Sequence, residues 1–206
     1  MRNLFAAAIL TLVLLKSISG HAAAGIDFGR FRFETNLGLI QEEFNGISGA
    51  ENSKVQWLQY GAGFFVKSGR WDFGLAYWKI PGVKVDPFIF RNGTSGSYQM
   101  DFTRTELLAG IAIQRLRFYV LAGNEQLAWS GSPELGAKAT TPVYSGVQLT
   151  YFWNFFAPTS SLITPISLRY LLLPSRSIAF EQKSWENTSI SAGSELDINV
   201  GVGFAF

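Results

Sequence analysis

Two short segments of this sequence place carboxylates and bases close enough to act together: Asp101, Arg104 and Glu106, and then Glu181, Lys183 and Glu186. Such groups serve as general acids and bases when their surroundings change how tightly they hold a proton. The acyl-transfer and hydrolytic chemistry within their reach usually needs histidine as well, to activate a serine or cysteine nucleophile. Cysteine is absent, and histidine occurs once, at His21. The same scarcity removes the usual zinc and copper ligand sets. No carboxylate spacing matches a calcium loop, and "GAGFF" at 61–65 sits in a strand pattern and opens no helix, so it is no phosphate-binding motif. The sequence thus predicts no enzyme, no metal and no cofactor. The charged segments read as ion-paired or solvated strand ends.

His21 itself falls in a segment that reads as a leader. Arg2 gives a positive start, and "LFAAAILTLVLL" from Leu4 to Leu15 is an apolar core too short to span a bilayer. Ala22 to Ala24 then offer small residues for cleavage. Residues 1–24 are therefore expected to be a cleavable signal peptide and 25–206 one domain. Arg2 and Lys16 leave with the leader, so 15 basic residues face 15 acidic ones. That balance gives no footprint for nucleic acid. An exported chain without cysteine also builds its stability without disulfides.

Hydrophobic residues make up 48% of the chain and charged ones 16%, against roughly 25% charged in soluble domains. Yet beyond the leader there is no run of about 20 apolar residues that could form a membrane-spanning helix. The apolar residues instead alternate, with the period of a two-sided strand. "RFRFETNLGL" sets Phe31, Phe33, Thr35, Leu37 and Leu39 against Arg30, Arg32, Glu34 and Asn36. "LQYGAGFFV", "WDFGLAYW", "RTELLAGIAI", "VQLTYFWNFF" and "LITPISLRYLLL" repeat the pattern. "FYVLAGNEQLAW" at 118–129 is a further strand, but neither of its faces alternates cleanly. The final strand sets Leu196, Ile198, Val200, Val202, Phe204 and Phe206 against Asp197, Asn199, Gly201, Gly203 and Ala205.

Eight strands result, joined alternately by short turns near 68, 115 and 158 and by longer stretches. The break near 49 is intermediate, and 81–97, 130–142 and about 174–193 read as long loops. Short connections at one end and long ones at the other are the pattern of a barrel across a membrane. A soluble sandwich or lipocalin-like barrel alternates too, with the apolar set turned inward. Two features favour the membrane. Trp71, Tyr77, Tyr151, Trp153, Phe155, Phe204 and Phe206 place aromatics near strand ends, where an interface takes them. The opposite face is sparse and rich in Gly and Ala, which suits a narrow lumen better than a solvated surface.

The leader, the alternating strands and the terminal Phe206 resemble the small eight-stranded β-barrels of the Gram-negative outer membrane. That resemblance implies an all-β fold, an eight-stranded antiparallel up-and-down transmembrane barrel in the cell outer membrane. Its implied partners are outer-membrane lipid, lipopolysaccharide and the barrel-assembly machinery, with Val200, Val202, Phe204 and Phe206 as the assembly signal. A lumen this narrow is filled by side chains. The inward charges Arg30, Arg32, Glu34, Asp72, Arg104, Glu106, Arg169, Glu195 and Asp197 are expected to pair there, because an unpaired buried charge costs several kcal/mol. The expected role is structural or at the cell surface; the first alternative is a small transporter or narrow channel for hydrophobic or small solutes, and the last a lipid-modifying outer-membrane enzyme.

Overall fold

The computed structural model describes residues 30–43, 54–89, 95–130, 137–140, 143–153, 161–180, 188–190 and 193–206. The leader, the segment holding Glu181, Lys183 and Glu186, and Asn154 and Phe155 lie outside the described residues. Period-two alternation gives each strand one apolar face and one polar or small face, and a sheet with two such faces buries the second by curling on itself. The strands are β1 (Phe31–Glu43), β2 (Lys54–Ser68), β3 (Trp71–Ile89), β4 (Ser95–Ile113), β5 (Leu116–Ser130), β6 (Ala137–Thr140), β7 (Tyr144–Trp153), β8 (Leu162–Leu173), β9 (Arg176–Phe180), β10 (Thr188–Ile190) and β11 (Gly193–Ala205).

Eight of them close the wall, each antiparallel to its neighbours, in the order β1-β2-β3-β4-β5-β7-β8-β11 and back to β1. The closing seam runs in unbroken register from Arg32↔Ala205 to Glu42↔Glu195. Its end is fastened by paired backbone bonds of 2.9 Å between Phe31 and Phe206. In lipid the backbone has no water to bond, so only a closed wall satisfies every strand. At the end of the barrel that holds Phe206, β2–β3 and β4–β5 turn tightly at Gly69-Arg70 and Gln114-Arg115. Gly69 and Gln114 take positive φ, 61° and 52°.

The wall's outer face is apolar. Leu37, Leu58, Phe73, Leu107, Val120, Val147, Ile198 and Val200 are all exposed on it. On β1 the apolar stretch from Phe31 to Leu39 spans roughly 20–25 Å of height, close to the apolar band of outer-membrane barrels. Aromatics rim both ends. Trp71, Trp153, Phe204 and Phe206 lie on the short-turn side, and Tyr60, Tyr77 and Tyr170 on the other.

Three stretches expected to be long loops carry strand instead. Between 81 and 97, β3 runs on to Ile89 and β4 starts at Ser95, with register shifts between Ile80 and Val83 and between Val85 and Phe88. The Pro and Gly that looked like loop punctuation make a bulge: Gly82 has φ 68°, and its N–H donates to Asp101 at 2.7 Å. Within 130–142 lies β6, and within 174–193 lie β9 and β10. These short strands extend the sheet sideways in the order β5-β6-β9-β10.

The irregular strand at 118–129 also has an explanation. β5 alternates strictly, with Arg117, Tyr119, Leu121, Gly123, Glu125 and Leu127 buried and Phe118, Val120, Ala122, Asn124, Gln126 and Ala128 exposed. It pairs with β7 as far as Gly123 and with β6 from Gln126. Its outward face turns polar where it changes partner, so hydropathy alternates cleanly on neither face.

Val200 is half exposed on the apolar wall. Val200→Lys should therefore destabilise the barrel by about 2–4 kcal/mol. Gln126→Lys, on the polar stretch of β5, should change stability by less than about 0.5 kcal/mol. Urea unfolding in lipid vesicles, followed by tryptophan fluorescence, distinguishes the two; equal effects would mean that the apolar band has been misplaced.

Candidate functional site

The inward face of an eight-stranded wall is one side chain deep, so residues from strands far apart in sequence meet across the lumen. Arg32, Glu34, Asp72, Arg104, Glu106, Arg169, Glu195 and Asp197 all point inward, each no more than 2% exposed. Arg30 does not join them. It stands exposed just before β1, with its guanidinium 5.7 Å from the Phe31 ring.

The charges form two groups. The inner group lies on the short-turn side. Arg32 pairs with Glu34 and, at 2.9 Å, with Asp72. Arg117 reaches the same Asp72 oxygen at 3.1 Å, and the Tyr119 hydroxyl donates to it at 3.0 Å. The Arg32 guanidinium also donates to Tyr119 at 2.8 Å and lies 4.3 Å and 4.7 Å from the Phe65 and Phe152 rings. Burial among rings strengthens each of these contacts and makes each hard to replace.

The outer group is larger. Arg104 holds Glu125 at 2.5 Å and clasps both oxygens of Glu195. Arg169 pairs with Glu106 and, at 3.5 Å, with Asp197. Glu106 also accepts from Trp78 at 2.9 Å and from Tyr144 at 2.5 Å. Gln59 donates to Asp197 at 3.2 Å and to Asn199 at 2.7 Å. Between the groups, Gln148 donates to Thr150, and Thr150 shares a 2.9 Å bond with Ser167.

The trio that opened the sequence reading is thus split by parity. Asp101 binds the bulge at Gly82, whereas Arg104 and Glu106 turn inward and serve different partners. Sequence reasoning missed Arg117 and Glu125, because "QRLR" reads as a turn and the 118–129 strand has no clear phase. It also left Phe65, Trp78, Tyr119, Tyr144 and Phe152 unassigned, although all are buried in the lumen.

A usable signal lay in the glycines. A Cβ on Gly110 would meet the Tyr119 ring at 2.6 Å, one on Gly123 the Tyr144 hydroxyl at 2.5 Å, and one on Gly38 the Asn199 amide. In each case a long polar side chain crosses over an adjacent strand at its glycine and binds a partner on the next: Tyr119 to Asp72, Tyr144 to Glu106, and Gln59 to Asn199.

No protein-family model matches the chain, and no curated protein matches it in sequence. Solved structures do. The outer membrane protein OprG from Pseudomonas aeruginosa superposes with a TM-score of 0.57 at 11% identity, over 87% of this chain and 99% of that one. Neisserial surface protein A gives 0.55 at 10% identity, over 86% and 98%. The chain therefore has the fold of the eight-stranded outer-membrane β-barrels.

Removing one member of a buried pair strands the other. Arg169→Leu should cost about 3–5 kcal/mol, because Glu106 and Asp197 lose their cation. Arg169→Leu combined with Glu106→Leu should cost clearly less than the two single changes together. A double-mutant cycle by urea unfolding in vesicles reads the coupling, and simple additivity would show that the pair is energetically idle.

Proposed function

We propose that this chain is exported and resides in a bacterial outer membrane as a barrel closed to solutes, where it plays a structural or surface-interaction role through its longer connections. The observation that carries this reading is the burial of ion-paired side chains in both groups of the lumen: Arg32 is 2% exposed, and Asp72, Arg104, Glu106, Arg169 and Asp197 are each 0% exposed. An eight-stranded wall leaves just enough room for side chains, and paired charges hold that filling in place. The apolar exterior and its aromatic rims support the membrane location. Residues 1–24 would direct export, with the tight turns and the Phe206 end facing the periplasm. Lipopolysaccharide would surround the outer rim, and Val200, Val202, Phe204 and Phe206 would be read by the assembly machinery. The likeness to a protein named as a surface protein supports the same role, and no catalytic chemistry is assigned.

A second reading, passage of small apolar solutes through the wall, is favoured by one observation. The β8–β11 ladder runs from Gly193↔Leu173 to Val200↔Ile166 and resumes only at Gly203↔Ile163. Pro165 stands in the gap and has no N–H to donate.

Planar-bilayer recording tests the first reading. The refolded chain should carry no steady ionic current, and Arg104→Ala with Glu195→Ala should introduce one; a steady current through the unaltered protein would reject the closed lumen. Topology is read separately. A membrane-impermeant maleimide should label Gly93→Cys but not Gly69→Cys in intact cells, and the reverse would invert the barrel.

A further inference from the structure

The outer face of the wall carries a groove of about 490 Å³, lined almost wholly by apolar side chains. Trp71, Ile111, Phe118, Leu149 and Leu168 line it and are successive register partners from β3 to β8. Tyr170 and Leu196, partners on β8 and β11, continue it. Trp71, Phe118 and Tyr170 are each about half exposed, so the groove opens outward and not into the lumen. Ala109 makes room for it, because its register partners Phe73 and Val120 are both larger. Strands of such a wall are tilted by about 35–45°, so a line of register partners climbs as it crosses them. Trp71 opens β3 at the short-turn end, whereas Leu196 lies near the far end of β11. Five spacings of about 4.8 Å at that tilt raise the groove by about 15 Å, the depth of one leaflet when the hydrocarbon core is about 30 Å thick.

The short-turn end of the groove is basic. Arg70, exposed, immediately precedes Trp71 in the β2–β3 turn, and Arg115 lies in the β4–β5 turn. The two turns stand side by side, since the Arg70 carbonyl accepts from the Ala112 N–H at 2.8 Å. Among the described residues, the acidic side chains at this end, Glu34 and Asp72, are buried in the lumen and paired with Arg32 and Arg117. The terminal carboxylate belongs to β11, on the far side of β1 and β2 from β3.

We propose that the groove is a binding site for one anionic phospholipid of the inner leaflet, with its phosphate between Arg70 and Arg115 and an acyl chain running up the wall from Trp71. Guanidinium forks match phosphate oxygens, and two of them select a headgroup of net negative charge. Trp71 stands at the level of the glycerol, where indole rings favour the interface. The chain's methylenes fill the groove past Ala109, and a volume of this size is ordinary for a ligand site. The site rests on the reading that the wall spans a membrane with its tight turns at the periplasmic side, and it goes beyond a structural or surface role.

The test titrates the full barrel, folded in detergent, with phosphatidylglycerol or phosphatidylcholine and reads lipid adducts by native mass spectrometry. One phosphatidylglycerol should be held about tenfold or more tightly than phosphatidylcholine. Arg70→Gln with Arg115→Gln should bring the two lipids within about twofold of each other. Ala109→Phe fills the groove without touching a charge and should weaken retention of phosphatidylglycerol by about fivefold or more. Arg30→Gln, at the same rim but on β1, should leave the preference unchanged. Each variant is checked for the heat-modifiable gel shift of a folded barrel; Arg70→Gln alone and Ala109→Leu are read in place of any that does not fold. Equal retention of the two lipids by the unaltered barrel overturns the proposal. So does a preference that Arg30→Gln lowers as much as the turn variants do, or a retention that Ala109→Phe leaves undiminished. Insertion of the barrel into phosphatidylcholine vesicles is measured in parallel. A barrel that does not insert sinks the membrane reading, whereas one that inserts but shows no preference for phosphatidylglycerol sinks only the lipid site.

Discussion

The structure depends on a single ladder closure, β1 against β11. Once Phe31 and Phe206 exchange backbone bonds, the wall has no edge, and its circumference is fixed by the strands between them. A fixed circumference fixes the lumen width. At eight strands that width admits about one side chain from each wall, so every inward residue has an opposing neighbour that it cannot avoid. Charge, volume and hydrogen bonding must then be matched among residues as distant in sequence as Arg104 and Glu195. The outer face carries no such demand, since its apolar side chains are exposed and meet no opposing wall.

That difference explains the composition of the inward face. A lumen lined only by large residues would be overfilled, and one lined only by small residues would leave buried charges out of reach of each other. The chain alternates the two across neighbouring strands. Gly110 lies between Asp72 and Tyr119, Gly123 between Glu106 and Tyr144, and Gly38 between Asn199 and Gln59. Each glycine lets a long side chain lie flat against the wall and span two strand spacings. A methyl group at any of these positions would push that side chain away from its partner. Glycine here provides space rather than backbone freedom.

The class of fold and the identity of most inward charges were legible in the sequence, because period two is a local property. Arg32 and Glu34 reveal their common face within three residues, as do Arg104 with Glu106 and Glu195 with Asp197. Pairing was not legible, because it depends on register around the wall. Nothing near Asp72 in the chain indicates that Arg32 and Arg117 both bind it. The strand lengths were misjudged for a related reason. Pro81 and Gly82 look like loop residues when the surroundings are unknown, yet a bulge takes them without ending β3, since the displaced Gly82 N–H finds Asp101. Arg30 shows the opposite error: parity alone placed it inside, but the lumen ends before it does.

β5 shows how one strand can serve two environments. As far as Ala122 its outward residues are apolar and its neighbour is β7; from Asn124 outward they are polar, and the neighbour becomes β6. Its inward residues show no such change, because Leu121, Glu125 and Leu127 stay buried throughout. The apolar band therefore sets the character of the outer face only, and the packed interior continues past it. A wall built in this way can rise past its apolar band without a separate domain, carrying its own core along while β6, β9 and β10 widen the sheet. Of the outer group, the Arg104–Glu125 pair sits at this level, whereas Glu106, Arg169 and Asp197 lie behind the apolar Leu107, Leu168 and Ile198. Arg104, bonded at once to β5 through Glu125 and to β11 through Glu195, ties opposite sides of the barrel where the outer face of β5 turns polar.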